Sequence, residues 1–301
     1  MAAVLPVLVA ADAGDAHGDA VVSALTAMGV STTRISASLL PALSVSWQPG
    51  SPLLLDAGGA RWAVTPSTTV WWRRPGQAFP SVPDPLEARL VQEEAAVLLP
   101  GLLEASGARW VDPPWVLQRA RLKLVQLATA RALQLDLPPT LVTGVPVEAR
   151  LFEGHGPTVA KALSSGIGIA PYVAVVPSSE LDRVRACPTL LQRLVGAESD
   201  LRVVTVAERV FAWGRRRDDL EGPDWRATDP RGARFERRNG DPTQGGAVRL
   251  ATALGLTFSV QDWLECSEGP CFLEVNVQGQ WLFLAGAEST LLPALIEHLV
   301  G

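Results

Sequence analysis

The sequence predicts an α/β fold, shading into α+β, on three observations. Residues 4–10 are an apolar strand, 20–28 have helical spacing, and 30–35 return as a strand. A strand–helix–strand opening of this kind belongs to a lobe built on a parallel sheet. Two long helical patterns follow, at 86–105 and 118–135, and from Thr158 onward the chain is mainly strands with interposed helices. There are no internal repeats and no low-complexity linker.

In order, the first helix stops at Gly29, a suitable C′ glycine. Leu53-Leu54-Leu55 and Trp62-Ala63-Val64, split by Asp56-Ala57-Gly58-Gly59, give a hairpin signal. Val70-Trp71-Trp72-Arg73-Arg74 is a strand closed by Pro75, with its aromatic residues expected in the core. Prolines 80, 83, 85, 113 and 114 bracket the first long helix, and Pro138-Pro139-Thr140 ends the second and starts a strand. Residues 215–246, rich in arginine and glycine, read as the longest irregular segment. The expected lobes are 1–115, 116–190 and 191–301.

With 48% hydrophobic residues the chain is globular, and its net charge of −5 argues against nucleic acid as a general partner. No apolar run reaches membrane-spanning length, and residues 1–9 lack the marks of a signal peptide. The three cysteines, Cys187, Cys266 and Cys271, have no metal-site spacing and suit a reducing cytoplasm.

Chemistry is concentrated in a few places. Phe272-Leu273-Glu274-Val275-Asn276 reads as a buried strand, yet carries a carboxylate and a carboxamide two residues apart and so on one face. Burying a neutral amide without a partner costs roughly 2–7 kcal/mol, and a charge costs more. A hard cation held by oxygen ligands would satisfy both groups, as would hydrogen bonds to neighbouring backbone. Asp262 lies in a strand-like segment that can pair with this one across the turn at 266–270. Lys161 ends the apolar run Thr158-Val159-Ala160 and precedes Ser164-Ser165-Gly166-Ile167-Gly168. A lysine beside a small flexible loop can hold phosphate, or can simply snorkel from a strand edge. Lys123 alone is a helix lysine, and Asp200 with Arg202 alone is a strand-surface ion pair. His17, His155 and His298 are scattered and offer no convincing general base.

Taken together, the order helix lysine, strand lysine, serine–glycine loop, Gln-x-x-Val, Asp-x-Arg, Asp, Glu-x-Asn resembles the ATP-grasp ligases. Pro138-Pro139-Thr140-Leu141-Val142-Thr143, Val159-Ala160-Lys161, Asp200-Leu201-Arg202-Val203, Asp224-Trp225-Arg226 and Phe272 to Asn276 with Gly279-Gln280-Trp281 are similar to the ribosomal-peptide maturase branch, the graspetide or microviridin-type synthetases. The resemblance covers most of the chain and is strongest over 118–284. It implies an ATP-grasp fold with an N-terminal α/β lobe and ATP held between the central and C-terminal lobes. Lys123 and Lys161 would hold the phosphates, and Ser164, Ser165 and Gly166 would form the mobile loop over them. Gln192, Arg193 and Leu194 would form the adenine hinge. Arg202 would neutralise the γ-phosphate and, with Lys161, serve catalysis. Asp262, Glu274 and Asn276 would bind magnesium. The chain departs from the family pattern at Val277, Arg193, Gln118 and Gly144.

The implied activity is an ADP-forming ligase that uses ATP and Mg2+ to activate side-chain carboxylates of a precursor peptide as acyl phosphates. A Ser/Thr hydroxyl then gives an ester, or a lysine amine an amide. The partner would carry acidic and Ser/Thr or Lys side chains. The arginines of 215–238 would face that acidic substrate, and a homodimer is left open. A carboxylate–amine ligase for a small molecule and a non-catalytic ATP- or peptide-binding module are the alternatives.

Overall fold

The computed structural model describes residues 4–37, 43–57, 60–76, 82–163, 173, 175–218 and 222–301. Gly58 and Gly59 of the expected hairpin turn, and Pro80, lie outside them. Two compact units are present, one of residues 1–117 with 288–301 and one of residues 118–287.

In the first unit, β1 (Val7–Ala11) is buried throughout. Helix α1 (Ala16–Ala27) starts at Asp15, whose side chain accepts from the Gly18 N–H at 2.8 Å, and leaves through Gly29 at φ +71°. It returns the chain to β2 (Thr32–Ile35), parallel to β1. Strands β3 (Leu43–Ser46), β4 (Leu53–Ala57) and β5 (Ala60–Val64) form their own antiparallel sheet. The chain then re-enters the first sheet with β6 (Thr69–Arg74), crosses over through α2 (Pro85–Ala105), and adds β7 (Arg109–Val111), giving a parallel order β2-β1-β6-β7. Leu8, Leu53, Val70, Leu99 and Leu103 bring both sheets and the end of α2 into one core. Trp71 is buried, as is Arg73, whose Nε lies 3.5 Å from Asp15.

Helix α3 (Pro114–Ala120) leads into the second unit. The single helix expected over 118–135 is broken. Leu122 is extended, with φ −72° and ψ 107°, and α4 (Lys123–Ala132) begins afresh at Lys123. The break is stabilised from within, because the Gln126 side chain donates to the Ala120 carbonyl at 2.7 Å. Lys123 is thereby the first residue of a helix and not a mid-helix side chain.

Strand β8 (Thr140–Thr143), helix α5 (Pro146–Glu153), strand β9 (Thr158–Lys161), a 3-10 helix (Ser178–Arg185) and strand β10 (Thr189–Arg193) come next. They give an antiparallel sheet β8-β10-β9 whose core is Ala149, Leu181, Val184 and Leu191. The larger sheet is built from β11 (Ser199–Val206), β12 (Arg209–Arg216), β13 (Glu236–Arg238), β14 (Phe258–Cys266) and β15 (Gly269–Asn276). Its order is β13-β12-β11-β14-β15, antiparallel throughout. Helix α6 (Gly246–Leu254) sits between glycines at φ +80° and +78° and is tied to the sheet by the Gln261 side chain, which donates to the Ala247 carbonyl at 2.9 Å.

A register shift within β15 decides which of its side chains face the core. Two residues apart on a regular strand, Phe272 and Glu274 would share a face. The register shifts by one there, so that Trp263 pairs with Phe272 and Asp262 with Glu274. The extra residue, Leu273, sends Phe272 into the core against Trp263, with ring centroids 5.2 Å apart, and leaves Glu274 opposite Asp262.

The expected irregular segment is more ordered than its composition suggests. β12 runs to Arg216, and Trp225–Ala227 is a 3-10 turn capped by Asp224. Asp229 accepts from the N–H groups of Ala233 and Arg234, and its Oδ2 lies 3.5 Å from the buried Arg215. The last helix, α7 (Ala287–Val300), closes the first unit. Leu5 N–H donates to the Val300 carbonyl, and Arg109 donates to those of His298 and Leu299. Among the described residues no helix is long and apolar enough to cross a membrane.

Candidate functional site

One face of the five-stranded sheet carries a continuous polar row. Register places Trp213 beside Arg202, Arg202 beside Asp262, and Asp262 beside Glu274. Two residues along, Asn276 pairs with Val260 on the same face. Arg202 is buried and donates through one Nη to Asp262 Oδ1 at 2.6 Å and through the other to the Gln280 carbonyl at 2.9 Å. Asn276 Nδ2 donates to Asp262 Oδ2 at 2.9 Å and, more weakly, to Glu274 Oε1 at 3.3 Å. From α4, Lys123 Nζ lies 3.0 Å from Glu274 Oε2. The structure thus brings Lys123, Arg202, Asp262, Glu274 and Asn276 together.

Lys161 sits at the end of β9, opposite Leu190. Burial pushes its ammonium below the ordinary lysine value and Lys123 adds to this, while Glu274, Asp262 and Asp224 work the other way. Both lysines and the carboxylates therefore share one electrostatic environment. Burial also works to raise the Glu274 carboxyl, but Lys123, Lys161 and Arg226 outweigh it and hold the group down at about 2.

The other expected positions are less alike. Gln192 is buried, and its side chain donates to Thr140 Oγ1 at 3.0 Å. The Arg193 guanidinium lies over the Phe152 ring at 4.9 Å. The N–H groups of Arg193 and Leu194 are engaged within the protein, by the carbonyls of Pro139 and Pro157 at 2.9 Å each, so neither is open to a ligand. Ser164, Ser165 and Gly166 lie outside the described residues. Asp200 and Arg202 do share a face, but they are no surface pair: Asp200 pairs with Arg215 at 3.2 Å and Arg217 at 3.6 Å, and Arg202 with Asp262.

The arginines of 215–238 mostly have partners inside the chain. Arg234 meets Asp218, Arg238 meets Glu265, and Arg237 stacks over Trp213 at 4.7 Å. Arg226 is the one drawn to the polar row: it contacts Asp224 at 3.2 Å and Asp262 Oδ2 at 3.7 Å, with its side chain 42% exposed. The sequence places Arg226 among the arginines expected to face an acidic substrate, whereas here it meets Asp224 and Asp262. Gln126 went unnoticed because nothing local marks one glutamine in a helix.

The residues fit a divalent ion. Asn276 Nδ2 marks a point within hydrogen-bonding distance of both carboxylates, and turning the amide over would present its oxygen there instead. Among the described residues no group of three or more His, Cys, Asp or Glu side chains is arranged to hold a metal. Two carboxylates and an amide leave several positions of a hard cation's shell for other oxygens.

A lysine opening a helix and a lysine ending the smaller antiparallel sheet, sharing one environment with carboxylates on the larger sheet, belong to a protein of the ATP-grasp fold. The solved structures it resembles share that architecture end to end. A macrocyclase, MdnC, from Microcystis aeruginosa MRC, solved with the precursor peptide MdnA, is 22% identical with a TM-score of 0.85, over 99% of this chain and 100% of that one. A RiPP-associated ATP-grasp ligase from Chryseobacterium gregarium, in complex with ADP and a leader and core peptide, is 21% identical with a TM-score of 0.86, over 98% and 96%. The ATP-grasp ligase PsnB, complexed with a phosphomimetic variant of its minimal precursor, Mg and ADP, is 22% identical with a TM-score of 0.77, over 98% of each chain. No protein-family profile matches the chain, and no curated protein does. At these identities the likeness is one of fold.

Proposed function

We propose that this protein is an ADP-forming ligase that activates side-chain carboxylates of a ribosomally made precursor peptide and closes them into ester or amide rings. The observation that carries the reading is the row Arg202–Asp262–Glu274–Asn276 with Lys123 3.0 Å from Glu274. The resemblance to peptide-bound ATP-grasp ligases over nearly the whole chain supports the substrate class.

Lys123 and Lys161 hold the outer phosphates of ATP, and the strand end Gln192–Leu194 lies along the adenine. Asp262, Glu274 and Asn276 hold magnesium, which when bound offsets charge developing on the transferred phosphoryl group. To release Glu274 for that task, Lys123 exchanges its carboxylate partner for a phosphate oxygen. Arg202, fixed by Asp262 and Gln280, offers a cation to the γ-phosphate and then to the acyl phosphate. A carboxylate oxygen of the peptide attacks the γ-phosphorus and ADP leaves; a hydroxyl or amine of the peptide then attacks the acyl carbon, inorganic phosphate leaves, and the nucleophile's proton passes to phosphate or solvent. Residues 116–190 and 191–301 are read as the central and C-terminal lobes on either side of the nucleotide, after a first lobe 1–115. The change from the three-stranded to the five-stranded sheet falls between Arg193 and Ser199, which favours a middle boundary a few residues after 190, and residues 288–301 group with the first unit rather than the C-terminal lobe. The exposed Leu86, Leu90 and Val97 of α2 support a homodimer, and the three free thiols support a cytoplasmic setting.

Glu274→Ala tests the reading. Peptide-dependent ATP turnover is expected to fall by about 10²-fold or more, with the circular dichroism spectrum unchanged. Full turnover in that variant would remove the metal-site assignment. Turnover driven equally well by free amino acids would replace the peptide with a small-molecule substrate.

A further inference from the structure

We infer that Gln126 is a positioning residue that sets the spacing between the phosphate lysine Lys123 and the carboxylate strand β15, an inference that rests on the function proposed for the site. Its side chain is 1% exposed and makes three hydrogen bonds. Nε2 donates to the Ala120 carbonyl at 2.7 Å and to the Val275 carbonyl at 2.8 Å, and Oε1 accepts from the Val275 N–H at 2.9 Å.

The geometry explains why a carboxamide stands there. β15 is the last strand of its sheet among the described residues, and on its outer side a single bridge to Asp136 takes up the Phe272 N–H and stops short of Val275. Val275 lies between Glu274 and Asn276, and the Gln126 amide meets both of its backbone groups as a paired strand would. The third bond ties the same amide to the carbonyl left over where the chain breaks before α4. Lys123 is three residues, about one turn, before Gln126 on that helix. One side chain therefore joins the element carrying the lysine to the peptide unit between the two oxygen ligands. No hydrocarbon side chain can do this, and a carboxylate can accept from the Val275 N–H but cannot donate to either carbonyl. The polar atoms of the Gln126 side chain are taken up by the Ala120 and Val275 backbone. Gln126 acts through Lys123 and Glu274.

Mn2+ is the probe, as a paramagnetic stand-in for Mg2+, titrated with ADP into the full-length protein and followed by electron paramagnetic resonance. Gln126→Met keeps the volume and removes all three bonds. Gln126→Glu keeps one acceptor and serves if the methionine variant does not fold. Either variant is expected to weaken Mn·ADP binding about tenfold and to broaden the bound Mn2+ signal. Combined with Glu274→Gln, the loss is expected to be smaller than the product of the single losses, because Gln126 acts through that carboxylate. Wild-type affinity in the Gln126 variants, or independent, multiplicative losses in the double variant, would overturn the positioning role and leave the site intact. No Mn·ADP binding by the wild type, or no effect of Glu274→Gln alone, would instead overturn the function proposed for the site and the inference with it.

Discussion

Glu274 is where most charge converges, and its ionisation is coupled to folding. Its carboxyl is held at about 2, below the ordinary 4.5. A group depressed in the folded state favours folding while ionised, so its contribution is complete above about pH 4.5 and is lost as pH falls toward about 2. Chemical denaturation over that window should show a steeper loss for the wild type than for Glu274→Gln, by on the order of 3 kcal/mol. Equal slopes would mean that the lysines do not hold this carboxylate. The residue itself could be read from sequence, because Glu274 and Asn276 stand two apart on one strand and that spacing alone fixes their common face. So could Asp262, through the pairing across the turn at 266–270, but the arginines that meet this group could not. Arg202 meets Asp262 from 60 residues away through the register of β11 on β14, and Arg226 arrives from a turn outside the sheet. Local pattern carries no record of either.

At the scale of elements, the β4–β5 pair and α2 lie where apolar periodicity and the proline and glycine breaks put them, and the β1–α1–β2 unit follows in order, with α1 starting at Ala16, four residues before the helical spacing of 20–28. The helix over 118–135 does not hold as one, because its break at Leu122 is stabilised by a side chain rather than announced by proline or glycine. The turn after β15 shows how closely packed the site's support is. A Cβ on Gly279 would stand 2.6 Å from that of Val260, the residue paired with Asn276, and Gly279 N–H donates to the Asn276 carbonyl at 2.9 Å. Gly279→Ala is expected to cost about 1–3 kcal/mol by denaturant unfolding and to weaken ADP binding with its metal. Gly196→Ala, with open space around the added carbon, should stay within about 0.5 kcal/mol of wild type. Similar losses at both positions would show that packing at Gly279 is not the cause.

Over the whole molecule, the chain leaves its first unit at Leu117 and returns to it at Glu288. α7 brings back Leu291, Leu295, Ile296 and Leu299, all buried, at roughly 1.5–3 kcal/mol for each such side chain. Removing residues 288–301 is therefore expected to exceed the usual stability margin of the first unit and to leave residues 118–287 as the protease-resistant part. Survival of the 1–117 part under the same digestion would show that α7 is dispensable. The carboxylates of the polar row have a different kind of support. Asp262 faces Arg202 and Glu274 faces Lys123, each cation supplied by the chain itself. Dialysis against a chelator should accordingly leave the melting temperature where it was, and under the proposed function turnover would stop without unfolding and return with the ions.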